Sequence, residues 1–106
     1  MVSFEEFKKL EIRIATVKEV LDHPNADKLY VLTIDVGDTT KQIVAGIKSS
    51  YSKEALTGRQ VVVINNLEPA VLRGVESQAM LLAASDEKGV SVLMADREMA
   101  VGSIVK

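Results

Sequence analysis

The chain contains no cysteine, which excludes disulfides and every thiolate zinc arrangement and permits a cytoplasmic address. Aromatic residues make up only 4% of its 106 residues, so the core must be aliphatic. No apolar run approaches the length of a membrane span, and Met1 to Lys9 lacks the basic-then-apolar order of a signal peptide, which reads as a soluble, unexported, cytoplasmic protein. There is no excess of positive charge. Thirteen basic against fifteen acidic residues leave a formal charge of -2, so any nucleic-acid binding must use a local patch. GxSxG, P-loop and GxGxxG patterns are absent, and a single histidine leaves one possible base for a Ser-His pair. The residues point away from an enzyme, and no cofactor or metal is expected. Counted from Asp22, a calcium loop would need glycine and glutamate where Asp27 and Thr33 stand. His23, the lone histidine beside Pro24, reads as a capping or surface residue.

What is present fits one domain over residues 1–106, 47% hydrophobic and 26% charged. A chain of this size buries roughly 60 to 70 percent of its unfolded surface. Ser3 and Glu6 have capping-box spacing, which predicts a helical turn over Ser3 to Lys8 with Phe4 and Phe7 plugging the core. From Glu11 to Leu21 the apolar residues alternate at Ile12 and Ile14, then change phase to Ala15, Val17 and Val20, predicting a long strand with a bulge. Asp22 to Asp27 form a loop by turn chemistry. Tyr30 to Val36 alternate as a half-buried strand, and Gly37 to Thr40 turn the chain into a partner strand, Lys41 to Ala45. Ser52 caps a short helix, Lys53 to Thr57, ended by Gly58.

Gln60 to Ile64 and Ala79 to Ala84 are apolar runs expected to form central strands, separated by a long loop holding Pro69, Arg73 and Gly74. Ser85 to Gly89 turn the chain toward Val90, Val92 and Met94 as a carboxy-terminal hairpin. The order strand, strand, strand, helix, strand, strand predicts an all-β, five-stranded antiparallel OB-fold barrel with a short helix before strand four. Within it, Glu76, Ser77 and Gln78 place three hydrogen-bonding side chains where a strand should begin. Burying them unpaired would be costly, so they either sit at a rim and bridge strands or serve a ligand.

At HPNADKLYVLTIDVG (His23 to Gly37), VAGI (Val44 to Ile47), LTGRQVVVINNLEP (Leu56 to Pro69) and LRGVESQAMLLAA (Leu72 to Ala84), the sequence resembles the tRNA-binding OB-fold domain family. That family includes the carboxy-terminal domain or beta subunit of methionyl-tRNA synthetase and a structure-specific tRNA-binding protein. The resemblance implies a non-catalytic homodimer that recognises the L shape of tRNA and assists a synthetase. By motif it implies RNA contacts from Lys28, Ser77, Gln78 and Met80, joined by Arg73 of the same motif and by Asn65 and Asn66 at its border. Lys28 offers charge to a phosphate, Ser77 and Gln78 offer hydrogen bonds to sugar or base edges, and Met80 offers a soft surface to an unstacked base. Tyr30 and Tyr51 are the available stacking rings, fewer than a single-strand binder uses.

Two departures stand out. Ala79 occupies a place where the family usually has glycine, and Ala70 and Val71 stand where basic residues are common. Both imply modest affinity and a shallow dependence on salt. A competing expectation is a chaperone-like, polypeptide-binding dimer, because relatives of the fold include one. Val90, Val92, Met94, Met99, Val101, Ile104 and Val105 either complete the monomer core or form a patch that a second copy covers.

Overall fold

A computed structural model describes all of residues 1–106. Helix α1 (Phe4–Phe7) precedes strand β1 (Ile12–Asp22), β2 (Tyr30–Asp35) and β3 (Thr40–Ala45). Helix α2 (Lys53–Leu56) leads into β4 (Gln60–Ile64), the hairpin β5 (Ala70–Leu72) and β6 (Val75–Ser77), and the short β7 (Met80–Leu81). A second hairpin, β8 (Ala83–Asp86) and β9 (Gly89–Val92), and a final strand β10 (Ile104–Val105) complete the chain. The main sheet runs β3-β2-β1-β4-β7 with every pairing antiparallel, and β10 pairs with the start of β1. This nearly closed barrel is an OB-fold, with α2 in the expected place before β4.

The change of phase in β1 has two causes. Ala15, Val17 and Val20 face the main core with Leu32, Ile34, Ile43, Leu56, Val61 and Val63. Ile12 and Ile14 face the other way and cluster with Val62 and Ile64 under Leu82, Ala95 and Met99. Both faces of this part of the sheet are therefore buried, which also explains the uninterrupted β-branched run of β4. The bulge comes later: the β1–β2 register shifts between Val17 and Glu19, letting Val17 and Val20 point inward three residues apart.

Local chemistry sets the caps. Ser3 Oγ accepts from Glu6 N at 3.1 Å while Glu6 Oε1 accepts from Ser3 N, so the capping box is complete. Ser52 Oγ accepts from Ala55 N at 3.2 Å, and Gly58 with φ +86° follows α2. The aromatic plug, however, does not form. Helix α1 buries no residue, and Phe4 is 70% exposed, with the Lys8 ammonium 5.5 Å from its ring centroid.

The stretch from Ala79 to Ala84 is likewise not one central strand. Only Met80 and Leu81 pair with β4, at Ile64 and Val63, and Ala83 onward leaves the barrel as the β8–β9 hairpin. Leu82 N still donates to Val62 O at 2.9 Å, and beyond it the chain pairs with β9 instead of continuing along β4. Val92 is buried and Val90 half-buried, but Met94, Val101, Ile104 and Val105 are exposed. Those last apolar residues belong to neither core cluster.

The β1–β2 junction carries an ion-pair cluster. Asp22 lies 3.1 Å from both Lys48 Nζ and Lys53 Nζ, and the hydrogen bonds from Lys48 and then Lys53 hold its carboxyl below the usual aspartate range. Its folded-state pKa is thus lower than its unfolded one. The resulting stability is present above about pH 4, the ordinary aspartate range, and is lost as pH falls through the lowered value. Asp22→Asn should therefore melt slightly lower than wild type near neutral pH and converge with it as pH falls through the lowered value, which flattens the acid limb of its melting-temperature profile. A variant that differs from wild type as much in strong acid as at neutral pH would contradict this.

Candidate nucleic-acid interface

The barrel does not close by a regular strand ladder between β3 and β7. It closes through the polar triplet. Gln78 N donates to Gln42 O at 2.8 Å, and Gln78 Oε1 accepts from Gln42 N at 2.9 Å, so one residue satisfies both backbone groups of its neighbour on the β3 edge. Gln42 Nε2 donates to Glu76 O at 2.9 Å. Ser77, 7% exposed, accepts at Oγ from Val44 N at 3.0 Å and donates to Ala79 O at 3.0 Å. These bonds pair the β3 edge, and those of Ser77 satisfy buried groups that would otherwise lack partners.

The paired asparagines serve another junction. Asn66 Oδ1 accepts from Glu11 N and its Nδ2 donates to Lys9 O, both at 2.7 Å. Buried Asn65 donates through Nδ2 to Glu11 Oε1 at 2.9 Å, and its carbonyl accepts from Lys41 Nζ at 2.7 Å. Together they tie the segment after α1 to the end of β4. Ser77, Gln78, Asn65 and Asn66 thus each have side chains engaged within the fold.

The long loop holding Pro69, Arg73 and Gly74 is in fact the β5–β6 hairpin, with Ala70 opposite Ser77, Val71 opposite Glu76 and Leu72 opposite Val75. Its turn has positive φ at both central residues, +53° at Arg73 and +90° at Gly74, as a two-residue hairpin turn requires. Arg73 is the one non-glycine residue in the left-handed region. An L-residue there costs about 1–2 kcal/mol, so a neighbouring structure must hold it.

That support comes from the β1–β2 loop. His23 caps its loop but is buried and not at the surface: Nδ1 accepts from Asn25 N at 2.9 Å, which leaves Nε2 to donate to Leu72 O at 2.9 Å. Asn25 Nδ2 donates to Arg73 O at 3.2 Å. Lys28 and Arg73, both exposed, border a cavity of about 420 Å³ with Asn25, Ala26, Asp27 and Leu29. Neither cation makes a salt bridge within the chain.

At the base of the same hairpin lies an apolar pocket of about 160 Å³. Val44, Leu67, Leu72, Ala79 and Met80 line it, with Glu68 and Ser77 as its polar members. Met80 is 45% exposed at its mouth. Ala79 is buried and packs with the main core as well as bordering this pocket. Neither tyrosine offers a stacking face of the kind the sequence suggested. Tyr30 is buried, its hydroxyl donating to Tyr51 O at 2.8 Å. Tyr51 is half-buried beneath the Arg59 guanidinium, 5.5 Å from the ring centroid, and accepts from Val92 N at 2.9 Å. That backbone hydrogen bond is the main cause lowering its phenol pKa.

A small OB-fold barrel with a hairpin carrying a cation at its tip and an apolar pocket at its base defines a binding module. The chain belongs to the tRNA-binding domain family: residues 12–104 match the family model described as "Putative tRNA binding domain". It is 54% identical over 105 residues to the methionine–tRNA ligase of Thermococcus kodakarensis, covering 99% of this chain and 14% of that protein. Against the methionine–tRNA ligase of Nanoarchaeum equitans the identity is 48% over 106 residues, covering 100% of this chain and again 14% of the ligase. The chain therefore spans a small part of the length of these curated relatives. Among solved structures, a MetRS-related protein from Pyrococcus horikoshii superposes with a TM-score of 0.91 and 33% identity, covering 100% of this chain and 98% of the other. The chaperone CsaA from Bacillus anthracis superposes with a TM-score of 0.90 and 30% identity, covering 100% and 99%. No helix of the chain is long and apolar enough to cross a membrane.

Proposed function

We propose that residues 1–106 act as one non-catalytic, cytoplasmic tRNA-binding unit that recognises folded tRNA and aids methionyl-tRNA synthetase, in the same polypeptide or as a partner. The observation that carries this reading is the pairing of Lys28 and Arg73 across one cavity at the β5–β6 hairpin, in a chain whose ligase relatives match it along nearly its whole length. Lys28 and Arg73 contact backbone phosphates, and Met80 lies against an unstacked base at the apolar pocket. Ser77, Gln78, Asn65 and Asn66 shape that surface through the bonds they make inside the barrel. With few cations at the site, affinity is modest and the logarithmic salt slope shallow, about 0.7 to 0.9 per neutralised phosphate.

The polypeptide-binding reading has two observations in its favour, the likeness to CsaA and the apolar pocket that Met80 borders. The higher identity to the ligases weighs toward tRNA. Fluorescence titration with bulk tRNA and, separately, with an unfolded polypeptide distinguishes the two. Binding of tRNA with salt-sensitive affinity is expected, and binding of the polypeptide alone would replace this reading with the other.

Homodimer formation is part of the same reading. Leu93, Met94, Val101, Ile104 and Val105 at the carboxy-terminal end are all exposed, apolar surface that a twofold-related copy would cover. Light scattering at micromolar concentration should give twice the 11.5 kDa chain mass, and Ile104→Asp should shift it toward the monomer. A monomer mass for the wild type would remove the dimer.

A further inference from the structure

We propose that His23 and Asn25 form a latch that presents Arg73 opposite Lys28 as a two-cation clamp for a single RNA backbone phosphate, a proposal that rests on the tRNA-binding reading above. The latch joins segments nearly fifty residues apart in sequence: His23 Nε2 holds Leu72 O at 2.9 Å and Asn25 Nδ2 holds Arg73 O at 3.2 Å, the two carbonyls leading into the turn. The imidazole is 6% exposed and both its nitrogens are engaged, so it fixes the loop and the hairpin base together. Gly74 follows Arg73 at φ +90°, a conformation that favours glycine, while a Cβ there would make only an ordinary contact with Asn25 Nδ2 at 3.6 Å.

Arg73 is a poor residue for its own conformation. Glycine or asparagine would occupy φ +53° with less strain, and the guanidinium offsets none of that cost through an ion pair in the fold. A strained, held and exposed arginine marks a group positioned for something outside the chain. The chemistry of the cavity selects the ligand. Lys28 supplies a point charge and Arg73 a planar fork able to take two phosphate oxygens, while Asp27 lines the same space and leaves a net charge of +1. That balance matches the single charge of a phosphodiester better than the near-dianion of a phosphate monoester.

The test is a tRNA titration at several salt concentrations on four proteins: wild type, Arg73→Gly, Asn25→Ala and the double variant, each with a thermal melt. Arg73→Gly is expected to melt higher than wild type yet bind tRNA about five- to tenfold more weakly, with the salt slope reduced by about 0.7 to 0.9. Asn25→Ala should weaken binding severalfold, and in the Arg73→Gly background it should add nothing, because its effect passes through the arginine. Inorganic phosphate should fail to compete at concentrations equal to the RNA phosphate. Tight competition by inorganic phosphate would reassign the cavity to a free anion and overturn the phosphodiester assignment. Equal affinity of Arg73→Gly and wild type, or additive losses in the double variant, would overturn the latch while leaving tRNA binding intact. Absence of tRNA binding by the wild type would instead overturn the functional reading on which the latch rests.

Discussion

Gly102→Ala should lose about 3 kcal/mol of stability, combining the cost of a left-handed L-residue with that of overpacking against backbone. Gly102 has φ +87°, and a Cβ on it would meet Val36 O at 2.9 Å and Gly37 Cα at 3.1 Å. The opposing Gly37 is equally confined, its own Cβ position lying 3.0 Å from Gly102 Cα. Neither backbone can yield easily. Gly102 N donates to Ile14 O at 2.7 Å and Ile14 N donates to Ser103 O at 2.9 Å, while β10 pairs with Ile12 and Arg13. The clash would therefore pull the carboxy-terminal segment off both the β2–β3 turn and β1. Gln60 fixes the same segment upstream, its amide bonding Met99 O and Met99 N at 2.6 and 3.0 Å. Thermal unfolding should show the midpoint lowered by roughly 10 to 25 °C. Gly58→Ala is the control: φ is +86° but nothing lies within 4 Å of the new methyl, so only the backbone strain, about 1–2 kcal/mol, should be lost. Equal losses at Gly58 and Gly102 would show that the close approach of backbones does not matter.

Ser77→Ala should lose about 1–3 kcal/mol, the cost of leaving a buried backbone donor, Val44 N, without its acceptor. Ala79 O loses its donor at the same time. Ser77 and Val44 border the pocket of about 160 Å³, and a water entering there to replace the hydroxyl would bring the loss toward the lower end of that range. Chemical denaturation should show a lower midpoint with an unchanged slope, the signature of a stability change within the same fold. The affinity of the folded fraction for tRNA should change less than the stability does. A variant as stable as wild type would mean that Ser77 does not close the barrel.

Much of this was legible from local chemistry. The capping box at Ser3, the helix signals at Ser52 and Gly58, and the period-two strand at Tyr30 to Val36 all depend on neighbours within a few residues, and the structure has them where the sequence places them. The change of phase at Ala15 was visible but ambiguous, since burial of both sheet faces and a bulge leave the same trace in a sequence, and β1 contains both. The β5–β6 hairpin was obscured because an Arg-Gly pair is not a usual turn signal, and it forms only with the distant loop holding it. The burial of His23 was hidden for the same reason: its partner carbonyl belongs to Leu72, in another part of the chain. The exposure of Phe4 and Phe7 followed from tertiary packing that a hydrophobic residue does not announce.

The polar triplet shows how a motif can mislead about the duty of its members. Glu76 to Gln78 stood out as hydrogen-bonding residues at the start of a buried strand, open to either a structural or a ligand role. The geometry engages Ser77 and Gln78 with the β3 edge, while Lys28, Arg73 and Met80 face solvent together with Ala70, Val71, Leu72 and Glu76. A resemblance carries over a whole motif, but only the bonding pattern divides it into groups that build the surface and groups that present themselves on it.

The most direct test of tRNA binding at this surface is a titration of tRNA against wild type and Lys28→Ala/Arg73→Ala, repeated across a range of salt concentrations with thermal melts alongside. The wild type should bind, and the double variant, still folded, should bind at least about tenfold more weakly, with its logarithmic salt slope reduced by about 0.7 to 0.9 for the one phosphate the two cations share. A double variant with the affinity and slope of the wild type would contradict the site, and a wild type that binds no tRNA at any salt would contradict the function.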